Sequence, residues 1–369
     1  MIVLRQLMEA IDRRAPWSLA ESWDNSGLQI GSNDQEIKSL MVALDFNEQV
    51  LNEGLARQVD GFLTHHPLFF RPVSQIDYSA PSGHLLQLVI THKLFVISAH
   101  TNVDKACPGL NDYLADRLGL DQVEPLQRAA SQLVKLTVFV PPEYSTKLRT
   151  VMAQAGAGHI GAYDECSFSV AGTGTFRPGP AAKPWTGTAG RLEEVAEIAL
   201  EMRVRQSLLP NVLQAIHANH PYEEPVIDIT SLVDRAGEGL GRVGRLPQPI
   251  RLGDYLQTIK ERLGVRHLRV TGDPDRLVRT VALCSGSGGS LLDMVIQRRA
   301  DLFITGDLDY HQFMKANDHR LAVVDSGHWG TEHWFIPMIA DYLQDYFDGC
   351  PGFQVAPSST IQEEPYLSI

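Results

Sequence analysis

Cysteine is scarce in this chain. Cys107, Cys166, Cys284 and Cys350 are irregularly spaced and never form a C-x-x-C pair. That argues against a disulfide scaffold and fits a reducing compartment. Long apolar runs are missing too, and nothing reaches the roughly 18 consecutive apolar residues a membrane span needs. The opening M-I-V-L-R-Q-L-M-E-A-I-D has no basic stretch followed by a long apolar one, so no signal peptide is expected. The expected setting is therefore soluble and cytoplasmic. Basic charge is also in deficit: 32 Lys and Arg stand against 44 Asp and Glu, a net charge of -12. Broad nucleic-acid binding depends on Lys and Arg meeting phosphates, so the balance argues against it. The cluster Arg262, Arg266, Arg269, Arg276 and Arg279 reads as solvated helix and strand faces.

What is present is an ordinary globular composition, 44% hydrophobic and 21% charged, over a length that exceeds one core. Leu4, Leu7, Met8 and Ile11 carry the spacing of an amphipathic helix. Short apolar runs follow at Leu40 to Leu44, Phe62 to Thr64 and Phe95 to Ala99, with a helical stretch at Leu85 to Ile90. Strands alternating with helices predict βα units and a largely parallel sheet. The texture changes after about residue 125. Strand, helix, strand, strand, helix, strand then follow up to Ile229, the ferredoxin-like order. The expectation is a discontinuous α/β domain over 1–126 and 243–369, with a ferredoxin-like α+β domain inserted at 127–242. The two outer segments share a βα style and read as two related lobes.

The histidines carry the chemical signal. His65 and His66 follow a strand directly and precede Pro67, which ends the ladder. Asp104 follows another strand in Ser98-Ala99-His100-Thr101-Asn102-Val103-Asp104, a hard oxygen ligand or a helix cap. His328 and Glu332 are four apart and share one helical face, an imidazole and carboxylate clamp behind Asp325-Ser326-Gly327. All five sit where strands end, the place open α/β sheets put their binding sites. Five such groups exceed what one tetrahedral zinc needs and suit two ions, one carboxylate bridging. Ions about 3.5–4 Å apart can activate water and stabilise a developing oxyanion. Mixed nitrogen and oxygen ligands suit zinc, iron, manganese or cobalt and do not choose among them.

The strings E-S-W-D-N-S-G-L-Q-I-G (21–31), T-H-H-P (64–67), S-A-H-T-N-V-D (98–104), T-G-D-L-D-Y-H (305–311) and D-S-G-H-W-G-T-E (325–332) resemble the Nif-three-like dinuclear-metal family, the GTP cyclohydrolase I type 2 homologues. The resemblance covers both outer segments and maps the family's metal ligands onto His65, His66, Asp104, His328 and Glu332. It implies two related α/β lobes facing each other across the metal pair, and a toroidal homohexamer. It also implies hydrolytic opening of a purine nucleotide ring with formate release. The strings G-H-I-G-A-Y (158–163) and H-P-Y-E-E-P (220–225) resemble the PII/CutA-like domain of longer members. A non-catalytic alternative follows from that domain: metal binding for regulation or delivery, with the insert as a small-molecule sensor.

Other residues carry two readings each. The resemblance puts Asp24 and Asn25, beside Trp23, near the site as substrate contacts; a cap and turn explain them too. His100 is a further metal ligand, a proton-transferring group or a support behind the ligands, the last preferred. Ser285 to Gly289 reads as tight strand-to-helix packing before a phosphate cradle. Asp307 and His311 either line the cleft or form a cap and a packed ring. His217, His220, Tyr222 and Glu223 read as packing or oligomer contacts of the insert.

Overall fold

Apolar residues on both sides of a strand require cover on both faces, and the chain supplies it with helices. The computed structural model describes residues 1–129, 133–161, 163–232 and 237–360. It divides into two compact units, residues 1–129 with 236–369 and residues 130–235.

The first unit contains two larger sheets. One runs Gln354–Pro357, Ser39–Ala43, Gly61–Thr64, Phe95–Ser98 and Gly27–Ile30, parallel except for the last. The other runs Arg269–Thr271, Ala322–Asp325, Leu302–Gly306, Leu277–Ser287, Gly239–Arg251 and Asp121–Arg128. In it only Ala322–Asp325, Leu302–Gly306 and Leu277–Ser287 are mutually parallel. Alternation along the strands sorts the side chains. Leu40, Val42, Leu63 and Ile97 join one core with Leu283, Leu302, Ile304 and Val324. Met41, Ala43, Phe62 and Val96 turn the other way, onto Val50, Leu51 and Val89 of helices Glu48–Ala56 and Pro81–Thr91. Helix Leu4–Arg14 buries Leu4, Leu7 and Ile11 as its spacing predicts, and Phe335–Tyr346 adds Phe335 and Ile339 to the same core.

The second unit has the order strand Leu133–Val140, helix Pro142–Gln154, strands Ser167–Phe176 and Glu193–Arg205, helix Leu209–Asn219, strand Ile227–Ser231. Its antiparallel sheet runs Ile227–Ser231, Leu133–Val140, Glu193–Arg205, Ser167–Phe176, a ferredoxin-like arrangement. Leu200, Met202 and Val204 alternate inward onto Leu148, Met152, Val212 and Ile216 of the two helices.

Among the strands that escape the sequence reading, two are long. Asp121–Arg128 contains Pro125, and Gly239–Arg251 carries three glycines and two prolines, a composition that reads as loop. They pair with each other, and Leu277–Ser287 supports the second, with register shifts. The expected limits at residues 127 and 242 fall inside these strands, whereas the observed units leave both whole. Arg242, fully buried, ties the second strand down: its guanidinium donates to both carboxylate oxygens of Asp112 (2.6 and 2.7 Å) and to the Gly239, Gly241 and Ala106 carbonyls. After Gly327 the chain forms two helices, His328–Glu332 and then Phe335–Tyr346. Among the described residues no helix is long and apolar enough to cross a membrane.

Candidate metal centre

Three strands of the first unit, two from one sheet and one from the other, lead into the candidate residues. Gly61–Thr64 delivers His65 and His66 without an intervening residue. Phe95–Ser98 leads through Ala99 and His100 into the short helix Thr101–Lys105, which carries Asp104. Ala322–Asp325 leads through Gly327 into His328–Glu332. Gly327 turns there with φ at 80°, a conformation glycine adopts without steric cost.

The imidazoles share one mode of support. His65 Nδ1 donates to the Ala99 carbonyl at 3.0 Å. His66 Nδ1 donates to Asp45 at 2.7 Å, His328 Nδ1 to Asp307 at 2.7 Å and His100 Nδ1 to Asp24 at 2.9 Å. An oxygen holding Nδ1 fixes the ring's orientation and leaves Nε2 for a metal, the usual arrangement of ligating histidines. The Nε2 atoms of His66 and His328 converge on one oxygen, Glu332 Oε2, each at 2.8 Å, and lie 3.3 Å from each other. His65 Nε2 lies 3.6 Å from Glu332 Oε1 and 3.8 Å from Asp104 Oδ1. His100 brings a ring nitrogen within 4.8 Å of those of His65 and His66.

Burial and charge work against each other here. Burial pushes the His66 imidazole down, but the Asp45 and Glu332 carboxylates on its two nitrogens raise it to about 10. His328 is likewise lowered by burial and raised on balance to about 9 by Glu332 and Asp307. Burial lowers His65 too, and the Asp104 and Glu332 charges raise it on balance. Asp104 is raised by burial, with the Glu332 charge adding to it. Burial raises Glu332, but His65, His328 and His66 around it hold it well below the ordinary carboxylate range. Glu332 is thus favoured in its ionised form, and its charge raises the basicity of the imidazoles around it.

The residues fit a divalent metal on three observations. His65 Nε2 is buried with no hydrogen-bond partner, an expensive state for a polar atom unless a further group meets it. Gly286, with φ at 58°, lies so close that a Cβ there would sit 2.1 Å from Glu332 Oε1, so the chain leaves the carboxylate its space. The donor set, imidazoles with buried carboxylates, suits borderline divalent ions. Asp104 is oriented from outside: Ser285 Oγ donates to its Oδ1 at 2.8 Å, and Asn111 Nδ2 donates to its backbone carbonyl and to Ser285 Oγ.

The structure thus brings His65, His66, Asp104, His328 and Glu332 together, with His100 beside them. Asp24 lies behind His100, its carboxylate also accepting from Thr101, Ser26 and the Asn25 amide. Burial raises Asp24, and the His100 and Thr101 contacts more than reverse this, leaving it well below its ordinary value. Asn25 is exposed and donates to the Phe69 carbonyl at 2.7 Å. Asp307 supports His328, whereas His311 is exposed. The amides of Ser285, Gly286 and Gly288 are spent on Asn111, Thr331 and Thr305, so that glycine-rich turn packs strand to helix. In the second unit His220 has both nitrogens satisfied, by the Phe139 carbonyl and the Tyr222 amide, and serves packing. Sequence reasoning missed Asp45 and Asn111, and read Ser285 only as part of the glycine-rich turn, without its contact to Asp104. Asp45 alone carried a signal, since it too follows a parallel strand end.

Comparison with known proteins shows the family and the fold. The family model described as Duf34/NIF3 (NGG1p interacting factor 3) matches residues 2–364. A Bacillus subtilis protein named GTP cyclohydrolase 1 type 2 homolog is 38% identical over 330 residues, covering 89% of this chain and 88% of that protein. A Bacillus cereus protein related to NIF3 has a crystal structure that covers 100% of this chain and 99% of its own, with 32% identity and a TM-score of 0.71. Staphylococcus aureus protein SA1388 superimposes with a TM-score of 0.80 at 26% identity, over 100% of this chain and 99% of that one.

Proposed function

We propose that this chain, which belongs to the Duf34/NIF3 family, binds two divalent metal ions and acts as a hydrolase on a purine nucleotide, opening the ring with release of formate. The observation that carries the reading is the set of histidines held by an oxygen at Nδ1 and aimed at Glu332 and Asp104. His65, His66, Asp104, His328 and Glu332 would hold the ions, and Glu332 has an oxygen facing each end of the cluster. Zinc, iron and manganese all suit these donors. The printed names of the relatives, GTP cyclohydrolase 1 type 2 homolog, support the choice of reaction class.

When bound, a divalent pair supplies an acidified water and a counter-charge for a developing oxyanion. The chain's own residues do the rest. His100, with Nδ1–H donated to Asp24, presents its other nitrogen as a proton acceptor beside His65 and His66. Asp24 stays ionised and steadies the imidazolium that forms. His100 can then return that proton to the departing nitrogen of the opened ring. Asp45 and Asp307 keep the ligand rings from rotating as charge moves.

The test is formate release from GTP by purified protein, first stripped with chelator and then reloaded with each metal in turn. The reading expects release that follows metal occupancy and is lost in His100→Ala with metal retained. Two bound ions without formate release would discard this reaction and favour a metal-binding protein with a regulatory or delivery role.

A further inference from the structure

Next to the donor cluster, and within the first unit, the surface is unusually apolar. Trp23, Phe70 and Ile90 are 64%, 54% and 57% exposed, and with Ile76 they line a cleft of about 680 Å³. Soluble proteins rarely leave such a run of large apolar side chains open without a use for it. A concave volume of this size is within the range of small-molecule sites, roughly 300–1,000 Å³.

The cleft joins the candidate centre through one ring. Trp23 and Phe70 both meet His100 edge-on, at centroid distances of 6.0 and 5.7 Å. His100 in turn lies 5.1 Å from His65 and 5.6 Å from His66. The aromatic walls therefore begin one imidazole away from the metal-binding groups. They are also held in place. Asn25 Nδ2 donates to the Phe69 carbonyl and to Gln29 Oε1, and Gln29 Nε2 donates back to the Asn25 carbonyl at 2.6 Å. These amides pin the Phe69–Arg71 segment against the Trp23 turn. Arg71 lines the same cleft, is exposed, and has no ion pair among the described residues.

We propose that this cleft seats the substrate's planar heteroaromatic ring between Trp23 and Phe70, with Arg71 meeting an anionic group on the same molecule. The proposal rests on the hydrolase reading for its choice of a purine nucleotide. Aromatic faces bind any flat ring by stacking, and guanidinium forks match phosphate or carboxylate oxygens. Together they select a ring that carries an anion over either part alone. The edge-on contacts with His100 direct that ring toward the donors.

The full chain is titrated calorimetrically with GTP, guanosine and tripolyphosphate, both chelator-stripped and metal-loaded. GTP binding to the stripped protein is expected, because the cleft itself needs no metal. Trp23→Ala and Phe70→Ala should each weaken GTP about tenfold or more, the cost of one lost stacking partner. Metal content should stay at the wild-type level, and Trp23→Phe should restore most of the affinity. Arg71→Ala should weaken GTP and leave guanosine unchanged. Wild-type GTP affinity in both alanine variants overturns the proposal, as does binding of neither GTP nor guanosine. It is also overturned if Trp23→Ala changes the sedimentation coefficient while GTP affinity holds, which would assign the face to contacts between copies. GTP bound through Trp23 but never hydrolysed keeps the cleft and removes the hydrolase reading. Formate release with unchanged KM in Trp23→Ala does the reverse.

Discussion

His65 Nε2 lies 3.8 Å from Asp104 Oδ1, fully buried and without a hydrogen-bond partner. That gap is too wide for a hydrogen bond and of the size a bridging cation closes. The same relation recurs around Glu332, whose Oε1 is 3.6 Å from His65 while Oε2 touches His66 and His328. The centre is thus arranged for ligation more than for its own internal hydrogen bonding.

Supporting carboxylates should matter to metal affinity without touching metal. Asp45→Asn and Asp307→Asn each remove a charge from the far side of a ligand imidazole. Each should cost about 10–100-fold in metal affinity, measured by competition with a chromogenic chelator. Thermal melting of the stripped protein at neutral pH should fall as well, since each carboxylate helps raise the imidazole it holds.

Metal loading should release protons. His66 and His328, raised to about 10 and about 9, are protonated at neutral pH in the stripped protein. Ligation needs their Nε2 lone pairs, so apparent affinity should rise with pH up to about 9–10. The stability of the stripped protein runs the other way. Both groups are raised above the ordinary 6.5, so their contribution is complete below that pH and is lost as pH climbs through about 9 to 10. Calorimetry in buffers of different ionisation enthalpy counts the protons; a buffer-independent heat would contradict the assignment.

Gly286→Ala should damage the centre from beneath. The added Cβ would meet Glu332 Oε1 at 2.1 Å, from a backbone at φ 58° that alanine adopts poorly. Loss of stoichiometric metal is expected together with a destabilisation of about 1–3 kcal/mol. Gly264→Ala is the control: it also has positive φ, at 71°, but nothing within 4 Å of its Cβ, and should retain metal.

Acid should release the C-terminal strand from its clamp. Glu53 accepts from Ser358 Oγ at 2.6 Å and from the hydroxyls of Ser359 and Thr360, each at 2.7 Å. Burial raises its carboxyl, and these donors more than reverse that, holding it at about 2. The folded value is depressed below the ordinary 4.5, so this stabilisation is present above pH 4.5 and lost as pH falls toward 2. Glu53→Gln should cost about 1.5–3 kcal/mol near neutrality, with the difference from wild type closing in that acid window.

The sequence made some of this legible for simple reasons. His328 and Glu332 are four apart, so helical geometry alone brings them to one face. His65 and His66 follow an apolar run with no spacer, which places them at a strand end. Asp45 follows an equally good strand, but a lone aspartate there reads as a turn residue until the fold brings His66 to it. Ser285 and Asn111 lie 174 residues apart, and only the packed fold shows that both steady Asp104. The strand Gly239–Arg251 was hidden because its glycines and prolines carry no strand propensity; pairing with its neighbours and the buried Arg242–Asp112 pair hold it extended. Asp24 and His100 were both visible, but their hydrogen bond, which gives each its role, was not.

The central claim is that five residues hold two divalent ions. Elemental analysis of the purified protein beside Glu332→Ala, after reloading and removal of free metal, tests it most directly. The account predicts two ions per chain in the wild type and loss of both in the variant, because the Glu332 carboxylate faces His65, His66 and His328 together. A wild type that retains no metal, or a variant that retains both ions, would contradict it.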